Sequence, residues 1–424
     1  MKANFRFVLS SILFLSACAT YTDKIREIRN ELVSGNEALA LALLEKSDLA
    51  GQKRNTVLFH MERGMLKYIS GQYEQATQDW TYAIQRSEDL YTTSLSKVAA
   101  SLTISEDMTD YEGEDHEKIF LPIFSSLAFF SRGDLNKALV EIRKTYEMIG
   151  QLKLDREEAK NILDGFPHFI SALLFEASLN WDNAIIEYRK ALVKYSNQGG
   201  NQAEAIKAMI ADSLWKIAEF RRRTEVVSQL QQAGYKRPAA SLQETLKDGE
   251  VLVLVEEGQS PVKVAQDFSV NLGSSVVNVS YPQYQHISSP SSSTRILCNG
   301  KACGASVMSS DIGELSHNAL ERRRLKDFAK MTARLFIKEQ ARQAARKHLG
   351  ELGNLAVMAA NFATERADTR SWTLLPANLQ FARVQVPSDT DVDLKILADN
   401  ALGPTQWRLR IPPGRKKLLR VRTF

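Results

Sequence analysis

Three cysteines, six histidines and two charged runs hold most of the chemistry that this 424-residue chain could do. Cys298 and Cys303 bracket Asn299-Gly-Lys-Ala302. A hairpin with a two-residue Gly300-Lys301 turn sets Asn299 opposite Ala302 and Cys298 opposite Cys303, at the non-hydrogen-bonded position where strands lie closest. That separation suits a disulfide, closing a tiny loop that adds little stability. Four residues intervene, against two in a thioredoxin-type pair. Tyr111-Glu-Gly-Glu-Asp-His-Glu117 gathers, with Asp110, six Asp, Glu or His side chains. Such a run could bind a metal or do acid–base work. Its lack of fixed ligand spacing favours a solvated loop that leads into an acidic helix N-terminus. His60, His116, His168, His286, His317 and His348 form no HExxH or paired-ligand pattern. There is no G-x-S-x-G elbow and no Walker loop. Gly273-Ser-Ser275 offers hydroxyls without a recognisable base. Tyr281-Pro-Gln-Tyr-Gln-His286 reads as an aromatic loop packed on a sheet. No catalytic residue, metal site or cofactor is expected.

The second charged run is a ladder of cations four residues apart: Arg322, Lys326, Lys330, Arg334, Lys338, Arg342 and Arg346. On a helix each step of four advances about 40°, so the ridge winds slowly round the cylinder. Leu325, Phe328, Thr332, Leu335 and Phe336 form a neighbouring stripe that can pack on a sheet. The ladder reads either as a surface for an anionic partner, such as lipid headgroups or an acidic protein, or as a solvated face balanced by Glu321, Asp327 and Glu339.

The third cysteine, Cys18, closes an apolar run. Lys2 and Arg6 precede Phe7-Val-Leu9 and Ile12-Leu-Phe-Leu15, and the run ends in Leu15-Ser16-Ala17-Cys18. It is shorter than the about 20 apolar residues that span a bilayer, so residues 1–17 read as a removed signal. The segment resembles the bacterial lipoprotein signal, with Leu15-Ser-Ala-Cys18 as its lipobox. The resemblance implies diacylglycerol on the Cys18 thiol, cleavage before it and acylation of the new amino group. Several acyl chains give stable anchoring where one does not. Ala19, rather than Asp, follows the cysteine; by the enteric sorting pattern this implies the outer membrane, periplasmic face. The formal charge of +5 falls to +3 once Lys2 and Arg6 leave, too mild to indicate nucleic acid.

These residues are positioned by two halves of different character. Before Lys236-Arg237-Pro238 the apolar period is near 3.6; after Asp248-Gly249 it alternates. The boundaries are therefore 18–240 for a helical domain and 249–424 for a second domain. The helical half repeats loosely: Gly71-Gln-Tyr73-Glu-Gln-Ala76 with Trp80 and Ala83, Gly133-Asp-Leu135-Asn-Lys-Ala138 with Ile142, and Asn180-Trp181-Asp-Asn-Ala184 with Tyr188 and Ala191. A weaker copy is Gly35-Asn-Glu-Ala-Leu-Ala40 with Leu44. A turn residue closes one helix, Ala lets the next approach, and the large residue fills the groove. The pattern, with Gly64 and Ala172, resembles the tetratricopeptide repeat. It departs in spacing: Ala76 to Ala138 is 62 residues and Ala138 to Ala184 is 46, against a period of about 34. Either a helix pair has degenerated between Leu90 and Glu117 or the array is irregular. Tyr73, Trp80, Trp181 and Tyr188 could anchor a partner, although such positions are mostly core.

The second half opens on Glu250-Val-Leu-Val-Leu-Val255, apolar enough for a strand buried on both faces. Further strands are expected over 262–268, 276–280 and 296–307, helices over 315–348 and 352–364, and strands near 379–386, 392–398, 406–411 and 417–424 as an antiparallel meander. The fold class is α+β: a helical repeat array followed by a domain of mainly antiparallel strands and one long basic helix. The lipobox, Gly133-Asp-Leu-Asn-Lys-Ala138, Leu254-Val-Glu-Glu-Gly258 and Asp368-Thr-Arg-Ser-Trp372-Thr-Leu-Leu-Pro376 together resemble an uncharacterised family of bacterial lipoproteins with tetratricopeptide-like repeats. That resemblance implies architecture and envelope location and no activity. The function expected is a protein-binding adaptor, held to the membrane by its lipid and meeting a periplasmic or outer-membrane protein in peptidoglycan synthesis or surface-structure assembly. A cell-wall hydrolase in residues 249–424 and a homo-oligomeric structural component are the alternatives.

Overall fold

Helix pairs joined by one turn geometry build the first half of the chain. The computed structural model describes residues 21–96, 106–155, 164–197, 201–271, 276–285, 293–364 and 366–424. Cys18 and the signal, Gly273-Ser-Ser275 and His286 lie outside the described residues. The helices are α1 (Tyr21–Val33), α2 (Glu37–Lys46), the short α3 (Asp48–Gly51), α4 (Thr56–Ile69), α5 (Tyr73–Ser96), α6 (Asp115–Ser131), α7 (Leu135–Asp155), α8 (Phe166–Ala177), α9 (Trp181–Ser196), α10 (Asn201–Phe220), α11 (Thr224–Gln232) and the short α12 (Leu242–Thr245). Five hairpins result: α1/α2, α4/α5, α6/α7, α8/α9 and α10/α11. Each first helix ends in a left-handed residue, namely Gly35, Gly71, Gly133, Leu179 or Arg222. The amide after it reaches back five residues, as in Gln72 N to Lys67 O, Asn180 N to Phe175 O and Arg223 N to Ala218 O. This is the Schellman closure, which satisfies carbonyls the helix end leaves free.

The repeat positions pack as their sizes dictate. Ala40, Ala76, Ala138 and Ala184 all stand five residues after the left-handed residue and are fully buried. Trp80, Ile142 and Tyr188, four further on, are also fully buried. Trp80 needs Gly64: a Cβ there would lie 2.4 Å from the indole Nε1. The 62-residue interval has no further hairpin among the described residues; α5 simply runs on to Ser96. The irregularity lies in helix and connection length, while the turn register is kept.

The second half holds eleven strands among the described residues and one long helix. They are β1 (Gly249–Glu257), β2 (Lys263–Asn271), β3 (Val276–Tyr284), β4 (Arg295–Cys298), β5 (Lys301–Ala305), β6 (Val307–Asp311), α13 (Ile312–Thr364), β7 (Asn378–Val386), β8 (Val392–Leu397), β9 (Ala401–Leu402), β10 (Gln406–Leu409) and β11 (Lys416–Thr423). A five-stranded sheet runs β6-β7-β1-β11-β9, a four-stranded sheet β10-β8-β4-β5, and β2-β3 stand as a separate hairpin. The fold is α+β. The expected meander of the last strands does not form. β7 and β11 flank β1, β11 in parallel, while β8 and β10 join the other sheet. The cause is burial: β1 is apolar on both faces, so it must lie inside a sheet that is covered on both sides.

Odd-numbered Val251, Val253 and Val255 face the four-stranded sheet, packing with Ile296, Leu394 and Ile396. Even-numbered Leu252 and Leu254 join the helical core, with Phe381 and Leu418. The chain is thus layered as helices, five-stranded sheet, four-stranded sheet, and one apolar core crosses from the array into the sheet. The two helices expected over 315–348 and 352–364 are the single α13.

The Cys298–Cys303 hairpin differs from its predicted register. Asn299 and Gly300, both left-handed, form the turn, because a type I′ turn needs two residues that tolerate positive φ and Lys301 is not one. Cys298 therefore pairs with Lys301, and a bulge brings Cys303 back towards it. The two sulfurs are bonded, with Cα atoms 5.7 Å apart.

Candidate functional site

One face of the helix array grips an irregular segment of the same chain. After α13 the backbone runs through Asp368-Thr-Arg-Ser-Trp-Thr-Leu-Leu-Pro376, and every residue from Thr369 to Leu375 is buried. Glu62 of α4 and Glu117 of α6 hold it by the backbone. Trp372 N donates to Glu117 Oε1 at 2.6 Å. Thr373 N and Oγ1 donate to Glu62 Oε1 at 2.7 and 2.8 Å, and Leu374 N donates to Oε2 at 3.0 Å. Tyr21 Oη adds a bond to Glu62 Oε1 at 2.6 Å. The Trp372 ring enters an aromatic nest, 6.1 Å from the centroids of Trp80 and Phe124. Arg370 pairs with Asp368 and donates to the Thr109 carbonyl at 2.9 Å. Burial pushes the Glu62 carboxyl up to about 7, against the pull of its donors.

Three charged clusters fasten the array to the second half: two reach the five-stranded sheet from charges on its apolar, helix-facing row, and one reaches the β2-β3 hairpin and α13. In the first, Arg383 of β7 forks onto Glu250 of β1 (2.6 Å) and Glu176 of α8 (2.7 Å). Lys416 of β11 joins both carboxylates, and Tyr188 Oη donates to Glu176. Burial alone would raise Glu176, but Arg383 and Lys416 outweigh it and hold it well below the usual carboxylate range. A cleft of about 270 Å³ opens beside this cluster, with Asp212, Lys216, Asp248 and Arg415 among its lining residues. Through Arg383 and Lys416 the cluster ties α8 to β1, β7 and β11. In the second, Arg420 sits 3.8 Å over the Tyr68 ring and pairs with the fully buried Glu256 at 3.2 Å.

The third cluster is the acidic run. It begins a helix, as expected, with Glu114 as N-cap and Glu117 closing a capping box. It is not solvated: Glu114 to Lys118 are all buried. Glu114 pairs with Lys263 of β2 and, at 2.7 Å, with Arg323 of α13. A Ser–His pair that the sequence did not disclose lies here, His116 Nε2 being 3.0 Å from Ser316 Oγ. The hydroxyl's one proton is donated to Ile312 O at 2.7 Å. Both side chains are within 1% of full burial, and burial pushes His116 down to about 4. A substrate cannot reach this hydroxyl. Among the described residues no group of three His, Cys, Asp or Glu could hold a metal.

Two other histidines occupy one repeat position. His60 meets Asp79, and His168 meets Glu187, each at 2.7 Å and each 19 residues on. Both stand eleven residues before the left-handed turn residue, which ties the hairpins more closely than the loose sequence repeat does. His317 and His348 are exposed on α13. Of the aromatic anchors, Trp80 and Tyr188 are core; Tyr73 meets Arg420 and Trp181 packs edge-on to Phe220.

The stripe predicted on the basic helix is corrected. Phe328, Met331 and Leu335 pack on the β2-β3 hairpin with Phe268 and Val279, and Tyr281 stacks on Phe328. Leu325 and Phe336 point elsewhere, 81% and 64% exposed. The helix turns 100° per residue, so 328, 331 and 335 share a face that 325 and 336 leave. Part of the cation ladder is internally balanced, as in Arg342 with Glu339, and the neighbouring Arg323 pairs with Asp327. No helix among the described residues is long and apolar enough to cross a membrane.

The residues that matter most here were missed in the sequence. Glu62, Glu176, Glu250, Arg383 and Lys263 carry no motif. Their one signal is a lone charge inside an apolar row, such as Glu62 in Val57-Leu-Phe-His-Met-Glu62. No protein-family model matches the chain, and no curated protein does.

Proposed function

We propose that the chain is a lipid-anchored adaptor of the cell envelope, its helical half a tetratricopeptide-like array. The lipobox Leu15-Ser-Ala-Cys18 supports acylation at Cys18 and, with Ala19 following, residence at the periplasmic face of the outer membrane. The reading rests chiefly on the grip of Glu62 and Glu117 on the backbone amides of residues 372–374. Helix-pair arrays bind partner segments on such a face, and here the segment is the chain's own. That face is spent on uniting the two halves. A periplasmic or outer-membrane partner, of peptidoglycan synthesis or surface-structure assembly, is therefore met by the other faces of the array or by the C-terminal half.

Cross-linking in cells followed by purification from membranes tests this, with wild type compared with Cys18→Ser. Specific recovery of an envelope protein, reduced in the unanchored variant, is the expected result. Recovery of no such protein, or purified product unmarked after palmitate labelling, refutes the adaptor or the anchor respectively.

A further inference from the structure

Two of the most exposed large apolar side chains among the described residues lie on α13. Leu325 is 81% exposed, Phe336 64% and Ile337 42%. At 100° per residue, Leu325, Ala329, Ala333, Phe336 and Ala344 fall within one sector of about 100°, together with the exposed Gln340 and Gln343. That sector points away from Phe328, Met331 and Leu335, which the β2-β3 hairpin covers. Arg322 and Lys347 fall in the same sector. Between residues 321 and 348 the chain has ten Lys or Arg against three Asp or Glu, so this stretch carries more positive charge than the protein's net +5.

The start of the described chain lies at the root of this unit. Thr22 Oγ1 donates to the Lys263 carbonyl, where β2 begins, at 2.6 Å. Lys263 shares Glu114 with Arg323 of α13. Cys18 stands four residues before Thr22, a reach of at most about 14 Å. Acyl chains on Cys18 would enter a bilayer beside the first turns of α13.

We propose that the exposed face of α13 is a second membrane contact, resting on an anionic phospholipid surface next to the acyl anchor. An apolar centre with a basic rim is the composition of an interfacial helix, and a basic patch beside an acyl anchor strengthens anchoring. The position of the face beside the anchor rests on the lipidation reading; its affinity for lipid does not.

The test uses the full chain carrying Cys18→Ser, so that no acyl chain contributes, sedimented with vesicles of phosphatidylethanolamine and phosphatidylglycerol or of phosphatidylcholine alone. Binding is expected to the anionic vesicles, at least about ten-fold tighter than to the neutral ones, and weakened by about 0.5 M salt. Leu325→Asp with Phe336→Asp reduces it at least about ten-fold, as does Arg322→Glu with Lys347→Glu, both with an unchanged circular dichroism spectrum. No binding, equal binding to neutral vesicles, or binding indifferent to both double variants overturns the proposal, as does capture of an acidic protein by the same face without vesicle binding. Palmitate labelling is scored separately. A labelled protein whose Cys18→Ser form ignores anionic vesicles keeps the anchor and loses this contact; an unlabelled one that binds them does the reverse.

Discussion

Replacing Trp372 with Ala should loosen the helical array, although the residue lies in the C-terminal half. Its indole is 1% exposed and wedged between Trp80 and Phe124. Truncating a buried Trp costs about 3–5 kcal/mol. Trp372 Nε1 has no hydrogen-bond partner among the described residues, so deleting the indole also removes a buried unpaired donor, worth about 1–3 kcal/mol. The net loss expected is about 2–3 kcal/mol. That is up to two decades in the open population, so the slowest-exchanging amides should exchange about 30- to 100-fold faster. Hydrogen exchange resolved by peptide would read it. The decisive peptides are those of α4 and α6, which supply Glu62, Glu117 and Phe124, together with those of β1 and β7. Trp372→Phe isolates the polar part: it keeps most of the packing, sheds the unpaired N–H, and should cost under about 1.5 kcal/mol. Trp80→Phe should cost more, because Trp80 Nε1 donates to Met61 O at 3.2 Å. Faster exchange confined to the C-terminal strands, with α4 and α6 fully protected, would refute a shared core and with it the covered face.

Gly64→Ala forces a Cβ to within 2.4 Å of the Trp80 indole and should destabilise by about 1–3 kcal/mol in chemical denaturation, as overpacking does. Leu179→Gly and Arg222→Gly should each stabilise by up to about 1 kcal/mol, since both residues are left-handed at φ near +60 and +55; a loss in both would dispute the turn geometry. Asp164 is raised to about 7 by burial, so the folded state holds a proton that the unfolded chain releases near pH 4. Its contribution is complete below that pH and fades as pH rises towards 7. Asp164→Asn should flatten the decline in denaturation midpoint between about pH 4 and pH 7, and an unchanged slope would count against the assignment. Glu176 has the opposite sign: held low by Arg383 and Lys416, its stabilisation is present above about pH 4.5 and lost in acid. Arg383→Met should remove about 3–5 kcal/mol near neutral pH by stranding buried carboxylates.

Local chemistry wrote much of this protein into its sequence. Apolar periodicity placed most helices and strands, because helix and strand bury every 3.6th or second side chain. Gly35, Gly71 and Gly133 marked hairpin turns, because an αL residue closes a Schellman motif. Small residues opposite Trp80 and Tyr188 marked close helix approach. Leu179 and Arg222 close the same turn without a glycine; the sequence pointed to Asn180 for the first, which instead caps α9, and gave no sign of the second. Tertiary structure alone decided the rest. Glu114 and Glu117 read as solvated acids until partners up to 255 residues away buried them, and Glu62 drew no reading before Leu374, 312 residues on, was seen to donate to it. The parallel β1-β11 pair joins strands about 160 residues apart in sequence, and neither strand encodes its neighbour. The face of the array that carries Glu62, Glu117 and Trp80 is covered by the chain's own residues 368–376, because Trp372 and the backbone amides beside it fit the array's aromatic nest and paired carboxylates. A sequence states which groups must be buried or satisfied; only the folded chain shows which distant groups do it.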